Sequence, residues 1–176
     1  MEETMLLKSE EITAIFQENY PNLCRFLESI VGRGSHAPDI AQESFLRLCR
    51  AELGGVSTAE IRFWLFRVGR NLALNEINKV RTRATLRQRV AEFFDKTAPH
   101  PEELLVRDEN QRIVRGLLER LPEHQRSALI LREQEEMSYR EIALILNVGE
   151  SKVKVDIFRA RQSLRVLWRE RLEKQV

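Results

Sequence analysis

The sequence predicts an all-α protein made of two small helical domains joined by a flexible linker. Apolar residues recur at spacings of three and four along most of the chain, and the alternation typical of strands is scarce. Only 7 Gly and 5 Pro interrupt the 176 residues. Residues 91–101 lose the helical period, are acidic and contain two prolines, as linkers often do. We therefore expect a domain at 1–90, a linker at 91–110 and a second domain at 111–176.

The first domain is predicted to contain three helices. The first runs from about Ser9 to Ile30 with one apolar stripe, and Gly32 and Gly34 end it. The second follows Pro38 and the third is capped by Ser57 or Thr58, two residue types that accept hydrogen bonds from free helix amides. The third helix then enters a basic stretch at 79–89.

The second domain is predicted to contain four helices. The first of these runs from Leu104 to Leu121 and is closed by Pro122. Three shorter helices follow, at about 123–133, 139–146 and 150–171. The sequence shows no internal repeat.

A capping box and a turn mark the last two helices as a unit. Ser138 and Glu141 have the spacing at which each side chain bonds the backbone amide of the other, and Met137 and Ile142 can pack together as a hydrophobic staple. Asn147-Val148-Gly149 then turns the chain, with Asn and Gly tolerating positive φ and Val148 filling the space between the helices.

The helix after this turn has an apolar stripe on one side and basic residues on the other. This pattern predicts a helix-turn-helix within residues 122–168, with the start of its second helix entering the major groove of DNA. A helical hairpin that only packs is the alternative.

Charge is distributed unevenly although the net charge is only +2. Residues 62–90 hold eight Lys or Arg against one Glu, and residues 150–176 hold eight against four acids. Residues 91–110 between them carry two basic and six acidic groups. Two basic blocks indicate two contacts with phosphate backbone, although solvated helix faces would have the same composition.

The sequence shows no feature of a catalytic or metal site. There is no CxxC, the three histidines are scattered, and Asp39 and Glu43 form only an isolated carboxylate pair. We therefore expect no enzyme activity, no cofactor, no metal and no small-molecule substrate. With no signal peptide or membrane span predicted, the chain is expected in the cytoplasm, with Cys24 and Cys49 as reduced core residues.

Two segments of the first domain are candidate binding surfaces. Residues 39–48 combine an apolar face with a polar one, which suits either a protein partner or plain solvent. Residues 61–72 interleave aromatic side chains with arginines, and such a segment can stack on unpaired bases while neutralising phosphates. The alternative is that the aromatics are core, which we favour for Phe63 and Phe66 and leave open for Trp64.

Five strings of the sequence resemble the extracytoplasmic-function (ECF) group of bacterial sigma factors. They occur in the family's order and cover nearly the whole chain. The strings are Asp39-Ile40-Ala41-Gln42-Glu43-Ser44-Phe45-Leu46-Arg47, Phe63-Trp64-Leu65-Phe66-Arg67-Val68 with Asn71, Leu121-Pro122-Glu123-His124-Gln125-Arg126, Ser138-Tyr139-Arg140-Glu141-Ile142-Ala143, and Val153-Lys154 with Phe158-Arg159-Ala160-Arg161. The length suits a member with only the second and fourth sigma domains.

The resemblance implies a promoter-specificity subunit with core RNA polymerase, promoter DNA and an anti-sigma factor as partners. It implies that the helix at 39–48 docks on the polymerase through Asp39, Gln42, Glu43, Phe45 and Arg47. It implies that the minus-ten element is melted and bound, with a base flipped under the 54–60 loop, by Trp64, Arg67, Arg70, Asn71 and Asn75. It implies that the minus-thirty-five element is read by Ser151, Lys152, Lys154, Val155, Asp156, Phe158 and Arg159.

Two features depart from the family pattern. Glu150 and Asp156 place acids at or near the edge expected to face DNA, where an acid can accept from cytosine but repels phosphate. The segment 54–58 differs from the commoner loop. The rival interpretation is a stand-alone helix-turn-helix regulator with an N-terminal dimerisation or sensor module, and a third is an interaction protein without DNA contact, which the two basic blocks disfavour.

Overall fold

The structure, a computed structural model, describes residues 7, 9–32, 36–53, 55–91 and 109–173, with backbone only for residues 81, 83–91 and 109–111. Over these ranges the chain forms seven α-helices and no strand, so the all-α prediction is confirmed. The helices are α1 (Ser9–Val31), α2 (Ala37–Arg50), α3 (Thr58–Ala91), α4 (Glu109–Glu119), α5 (Glu123–Glu133), α6 (Tyr139–Leu146) and α7 (Glu150–Glu173). Most of the expected linker, and the expected helix start at Leu104, lie outside the described residues.

Helices α1, α2 and α3 pack against one another around a shared apolar core. Phe26 of α1 and Phe66 of α3 are both fully buried, with ring centroids 5.4 Å apart. Gly69 lets the three helices approach closely, because a Cβ there would lie 3.1 Å from Leu23 and 3.3 Å from the Ser44 hydroxyl. We call this three-helix unit the first module.

The long helix α3 begins at a capping box formed by Ser57 and Glu60. The Glu60 amide donates to the Ser57 hydroxyl at 3.3 Å, and the Ser57 amide donates to the Glu60 carboxylate at 3.1 Å. Ser57 is therefore the cap, rather than Thr58. The two bonds also lower the pKa of Glu60. From this start α3 continues unbroken through the basic stretch to Ala91.

Helices α4 to α7 form the second module, whose core lies between α5, α6 and α7. The predicted capping box at α6 is present: the Glu141 amide donates to the Ser138 hydroxyl, and the Ser138 amide donates to the Glu141 carboxylate at 2.7 Å. Met137 and Ile142 are both buried, as a hydrophobic staple requires. The apolar stripe of α7 contributes Val153, Ile157 and Ala160, each at most 2% exposed.

The turn between α6 and α7 uses positive φ at one residue only. Asn147 is left-handed, with φ 54° and ψ 51°, and its amide donates to the carbonyl of Ala143. Gly149 does not have positive φ, so of the two residues that tolerate this conformation only Asn147 adopts it. Val148 is half-buried and packs against the core, as predicted.

The two cysteines differ in environment. Cys24 is half-buried in the first module, and burial raises the pKa of its thiol. Cys49 is exposed, so its expected place in the core is wrong. The reason is the phase of α2: Phe45 and Leu48 face inward, and Cys49, one residue further along the helix, turns outward.

No helix in the described ranges combines the length and the apolar character needed to cross a membrane.

Removing the cap of α6 should weaken the second module measurably. We expect Ser138→Ala to lower its free energy of unfolding by about 0.5–2 kcal/mol, since an orphan amide loses its acceptor. The hydrogen bonds from Ser138 lower the pKa of Glu141. The cap therefore contributes its full stability at a pH above the ordinary pKa of a glutamate, and this stability is lost as the pH falls through the lowered pKa of Glu141.

Urea titrations over a range of pH check this prediction. The gap between wild type and Ser138→Ala should be widest near neutral pH and should close in acid. Ser57→Ala, which removes the equivalent cap in the first module, is the matched control and should leave the second module unchanged. A pH-independent gap would mean that Glu141 takes no part in the cap.

Candidate nucleic-acid interface

The first turns of α7 present a mixed polar, basic and apolar surface. Burial of the α7 stripe against α5 and α6 turns the opposite side outward. Phe158 is 62% exposed and Val155 is 44% exposed, so two apolar side chains are available for contact on this surface. The other exposed residues on this surface are Ser151, Lys152, Lys154 and Arg159. Six of the seven residues expected to read the minus-thirty-five element therefore share an exposed surface.

Asp156 is the exception. Its side chain is only 2% exposed, and both of its carboxylate oxygens accept hydrogen bonds from Lys152, at 2.9 and 2.8 Å. The expectation that Asp156 faces DNA is therefore contradicted. The Asp156 carboxylate is buried, and its charge is compensated by Lys152, one helical turn earlier. Glu150, in contrast, is exposed at the start of α7.

The ring of Tyr139 lies between two cations at the start of α6. The Arg132 guanidinium is 5.1 Å from the ring centroid and the Lys154 ammonium is 5.5 Å from it, both within cation–π range. Lys154 is therefore oriented by a residue of the neighbouring helix. No local spacing predicts this contact, because residues 139 and 154 meet only once the turn between the helices is formed.

Four of the expected minus-ten residues lie along one side of α3. Trp64, Arg67, Asn71 and Asn75 recur at spacings of three and four, which places them on one helix face. The last three are exposed, whereas Trp64 is half-buried and packs against the core. Arg67 also lies over the Phe63 ring at 5.5 Å. We call these four residues the α3 stripe.

Arg70 does not belong to that stripe. Its side chain is 4% exposed and its guanidinium donates two hydrogen bonds to the Glu123 carboxylate of α5, at 3.1 and 3.0 Å. In this conformation the expectation that Arg70 faces DNA is contradicted. The sequence does carry a signal for this burial, because Phe66, Gly69 and Ala73 place Arg70 on the inward face of α3.

The expected polymerase-docking residues lie on α2 at an open cleft of about 880 Å³ between α2 and α3. Asp39, Glu43 and Arg47 line this cleft, and Arg47 donates to Glu43 at 2.8 Å. Gln42 is exposed. Phe45 is 5% exposed and its ring packs edge-on against Phe16 at 4.9 Å, so its expected role as a surface contact is contradicted.

The cleft connects the surface of α2 with the α3 stripe. Asn75 lines it from α3, together with Lys79 and Thr82. A surface that binds protein through α2 would therefore lie directly beside one that binds DNA through α3. The fold and this surface, together with the helix-turn-helix arrangement of α6 and α7, define an all-α protein with two separate exposed helix surfaces, one on each module.

Comparison with known proteins identifies the class more closely. Residues 15–83 match the family model described as Sigma-70 region 2, and residues 111–164 match Sigma-70, region 4. The chain is 34% identical to the RNA polymerase sigma-H factor of Pseudomonas aeruginosa over 73% of its length and 70% of that protein. It is 34% identical to the ECF RNA polymerase sigma-E factor of Salmonella typhimurium over 72% of this chain and 71% of that one.

A third relative covers more of the chain. It is the ECF RNA polymerase sigma factor SigM of Bacillus subtilis, 28% identical over 89% of this chain and 94% of that protein. Among solved structures, the sigma factor RpoE of Bartonella quintana, crystallised with the anti-sigma factor NepR, is similar with a TM-score of 0.67. That similarity covers 91% of this chain and 98% of the other at 23% identity, and so concerns the fold.

The chain belongs to the ECF sigma factors of bacterial RNA polymerase. It is accordingly a transcription initiation factor that works with core RNA polymerase and promoter DNA, and not an enzyme. The stand-alone regulator is the less favoured interpretation.

Proposed function

We propose that the first module binds the core polymerase and the melted minus-ten element, and that the second module binds the minus-thirty-five element as a duplex. The observation that carries this division of labour is the pair of exposed surfaces, the α3 stripe and the outer face of α7, on separate modules. The two weak contacts would combine into useful affinity because they are tethered on one chain.

On α7, we assign the direct contacts to Lys154, Phe158 and Arg159, with Ser151, Lys152 and Val155 beside them. An exposed phenylalanine suits a thymine methyl group, and the basic residues suit phosphates or guanine edges. Asp156 is assigned no contact, because it is buried and paired.

On α3, we assign single-strand contacts to Arg67, Asn71 and Asn75, with Trp64 as the adjoining aromatic surface. Unpaired bases lose stacking when a duplex opens, and aromatic and amide side chains can replace part of it. The cleft face of α2, with Asp39, Glu43 and Arg47, is assigned to the polymerase together with the exposed Gln42. Its exposed charges make a polar docking surface.

We also propose that an anti-sigma factor controls the protein and that it acts in the cytoplasm, where polymerase is found. The support is that the fold matches a sigma factor solved together with an anti-sigma factor. Residues 91–110, as a linker, would let such a partner hold both modules at once.

Two variants test the division between the modules in one reconstituted system with core polymerase. Asn71→Ala should slow promoter opening severalfold and leave core binding intact, since it removes a contact made only with the open strand. Lys154→Ala is its counterpart: it should weaken protection of the upstream element in footprints and leave opening of the bound complex unchanged. Equal loss of core binding and opening in Asn71→Ala, or an unaltered upstream footprint in Lys154→Ala, would contradict these assignments.

A further inference from the structure

Two ion pairs join the modules in this structure. The first is the bidentate contact between Arg70 and Glu123. The Glu123 carboxylate also accepts a hydrogen bond from the Ser127 hydroxyl at 2.8 Å. Arg70 and Glu123 lie 53 positions apart in sequence. Arg70 is 4% exposed and the Glu123 side chain 21% exposed, so the pair is largely shielded from solvent. Charge pairs shielded in this way are much less screened by salt than surface pairs.

The second pair joins the start of α3 to the segment after α5. Arg62 donates to the Glu135 carboxylate at 2.6 Å and to the Glu135 carbonyl at 3.0 Å. The Glu135 side chain is only 3% exposed. The Arg62 charge also contributes to the lowered pKa of Glu141 on α6. Both pairs therefore set arginines of the first module against carboxylates of the second.

The Glu123 carboxylate holds Arg70 through two nitrogens, as a nucleic-acid phosphate would, and Glu135 occupies one nitrogen of Arg62. Arginine binds carboxylate and phosphate with the same planar, two-pronged geometry, so one partner excludes the other. Arg70 and Arg62 belong to the basic block of α3, and Arg70 borders the α3 stripe in sequence. With Arg70 buried against α5, the second module covers this side of α3.

We propose that Glu123 and Glu135 act as internal phosphate mimics: they hold the free chain closed and keep Arg70 and Arg62 from promoter DNA. Opening the modules exchanges each carboxylate for a phosphate, so the arginines act as closing contacts in one state and as DNA contacts in the other. The DNA half of this proposal rests on the proposed function of α3. Closure itself does not depend on that function: it is seen in the two ion pairs and in the packing of α5 and α6 against α1 and α3.

The test compares the full chain with the double variant Glu123→Gln, Glu135→Gln. Loss of both charges leaves two arginines shielded without a charged partner, which strongly disfavours the closed state. We expect small-angle scattering to show a larger radius of gyration than wild type. A fluorescent single-stranded minus-ten oligonucleotide should bind about tenfold more tightly, because the open fraction sets the apparent affinity.

Glu133→Gln is the matched control. Glu133 lies on the same helix but pairs with Arg161 inside the second module, where both side chains are 51% exposed. This variant should scatter and bind the oligonucleotide as wild type does. A charge exchange, Arg70→Glu with Glu123→Arg, should remain compact, which checks that the first pair matters as a pair.

The outcomes separate closure from DNA binding. A double variant as compact as wild type overturns the proposal, and so does one that expands without binding the oligonucleotide more tightly. If instead the wild-type chain fails to direct transcription with core polymerase, the proposed function fails while the scattering difference stands on its own. Circular dichroism of the double variant should match wild type, because the exchange of oxygen for nitrogen leaves α5 and the segment after it intact.

Discussion

Replacing Phe66 by alanine is expected to lower the free energy of unfolding of the first module by about 3–5 kcal/mol, a large part of what a small domain possesses. Phe66 is fully buried, with 0% of its surface exposed, and it lies against Phe26 in the core formed by α1, α2 and α3. Its removal would leave a cavity at the point where α3 is positioned. Core binding and promoter opening should fail together.

The two tryptophans allow each module to be followed separately. Trp64 lies on α3 and Trp168 on α7, and the sequence contains 2 tryptophans in all. In a Trp168→Phe background, urea titration of the Trp64 fluorescence should show the loss in Phe66→Ala. Phe16→Ala, at a ring that is 39% exposed, is the control and should cost clearly less. Equal losses in the two variants would contradict the described core.

Replacing Ile142 by alanine is expected to cost the second module about 2–5 kcal/mol. Ile142 is fully buried beneath the α6 cap, where it helps to fix the angle between α6 and α7. A change in the angle between α6 and α7 would displace Lys154 and Phe158 from their positions on the outer face of α7. Binding to minus-thirty-five duplex should fall, while the first module should still bind core polymerase.

Leu144→Ala is a close control, because it lies on the same helix and is 53% exposed. It should leave stability nearly unchanged. The measurement is urea titration of Trp168 fluorescence in a Trp64→Phe background, with duplex binding by fluorescence anisotropy. A loss in Leu144→Ala as large as that in Ile142→Ala would mean that α6 faces the core in another phase.

Local features of the sequence were sufficient to predict the helices and the caps. The Ser138–Glu141 box and the Asn147 turn depend on residues at most a few positions apart, and the structure contains both. The apolar stripe of α7 likewise predicted which side of the helix is buried. These features are local because hydrogen bonding at helix ends and amphipathic spacing act within one or two turns.

Two of the misassigned residues, Asp156 and Arg70, are charged side chains that lie beside a buried stripe. Asp156 adjoins Val153 and Ile157, and was expected outside because it is charged, although Lys152 can compensate it. Arg70 was assigned to DNA because arginine suits phosphate, and its partner Glu123 lies in the other module. Contacts between distant segments depend on how the modules pack, and no local spacing specifies that.

As an ECF sigma factor, this chain should direct promoter-specific initiation with its two modules acting on the same promoter. The most direct test is transcription in vitro with purified core polymerase, this protein and a library of random upstream sequences. We expect transcripts only when the protein is added, from templates that share two spaced elements, with the upstream one lost in Lys154→Ala. A protein that binds duplex DNA tightly alone and never yields transcripts with core polymerase would contradict it.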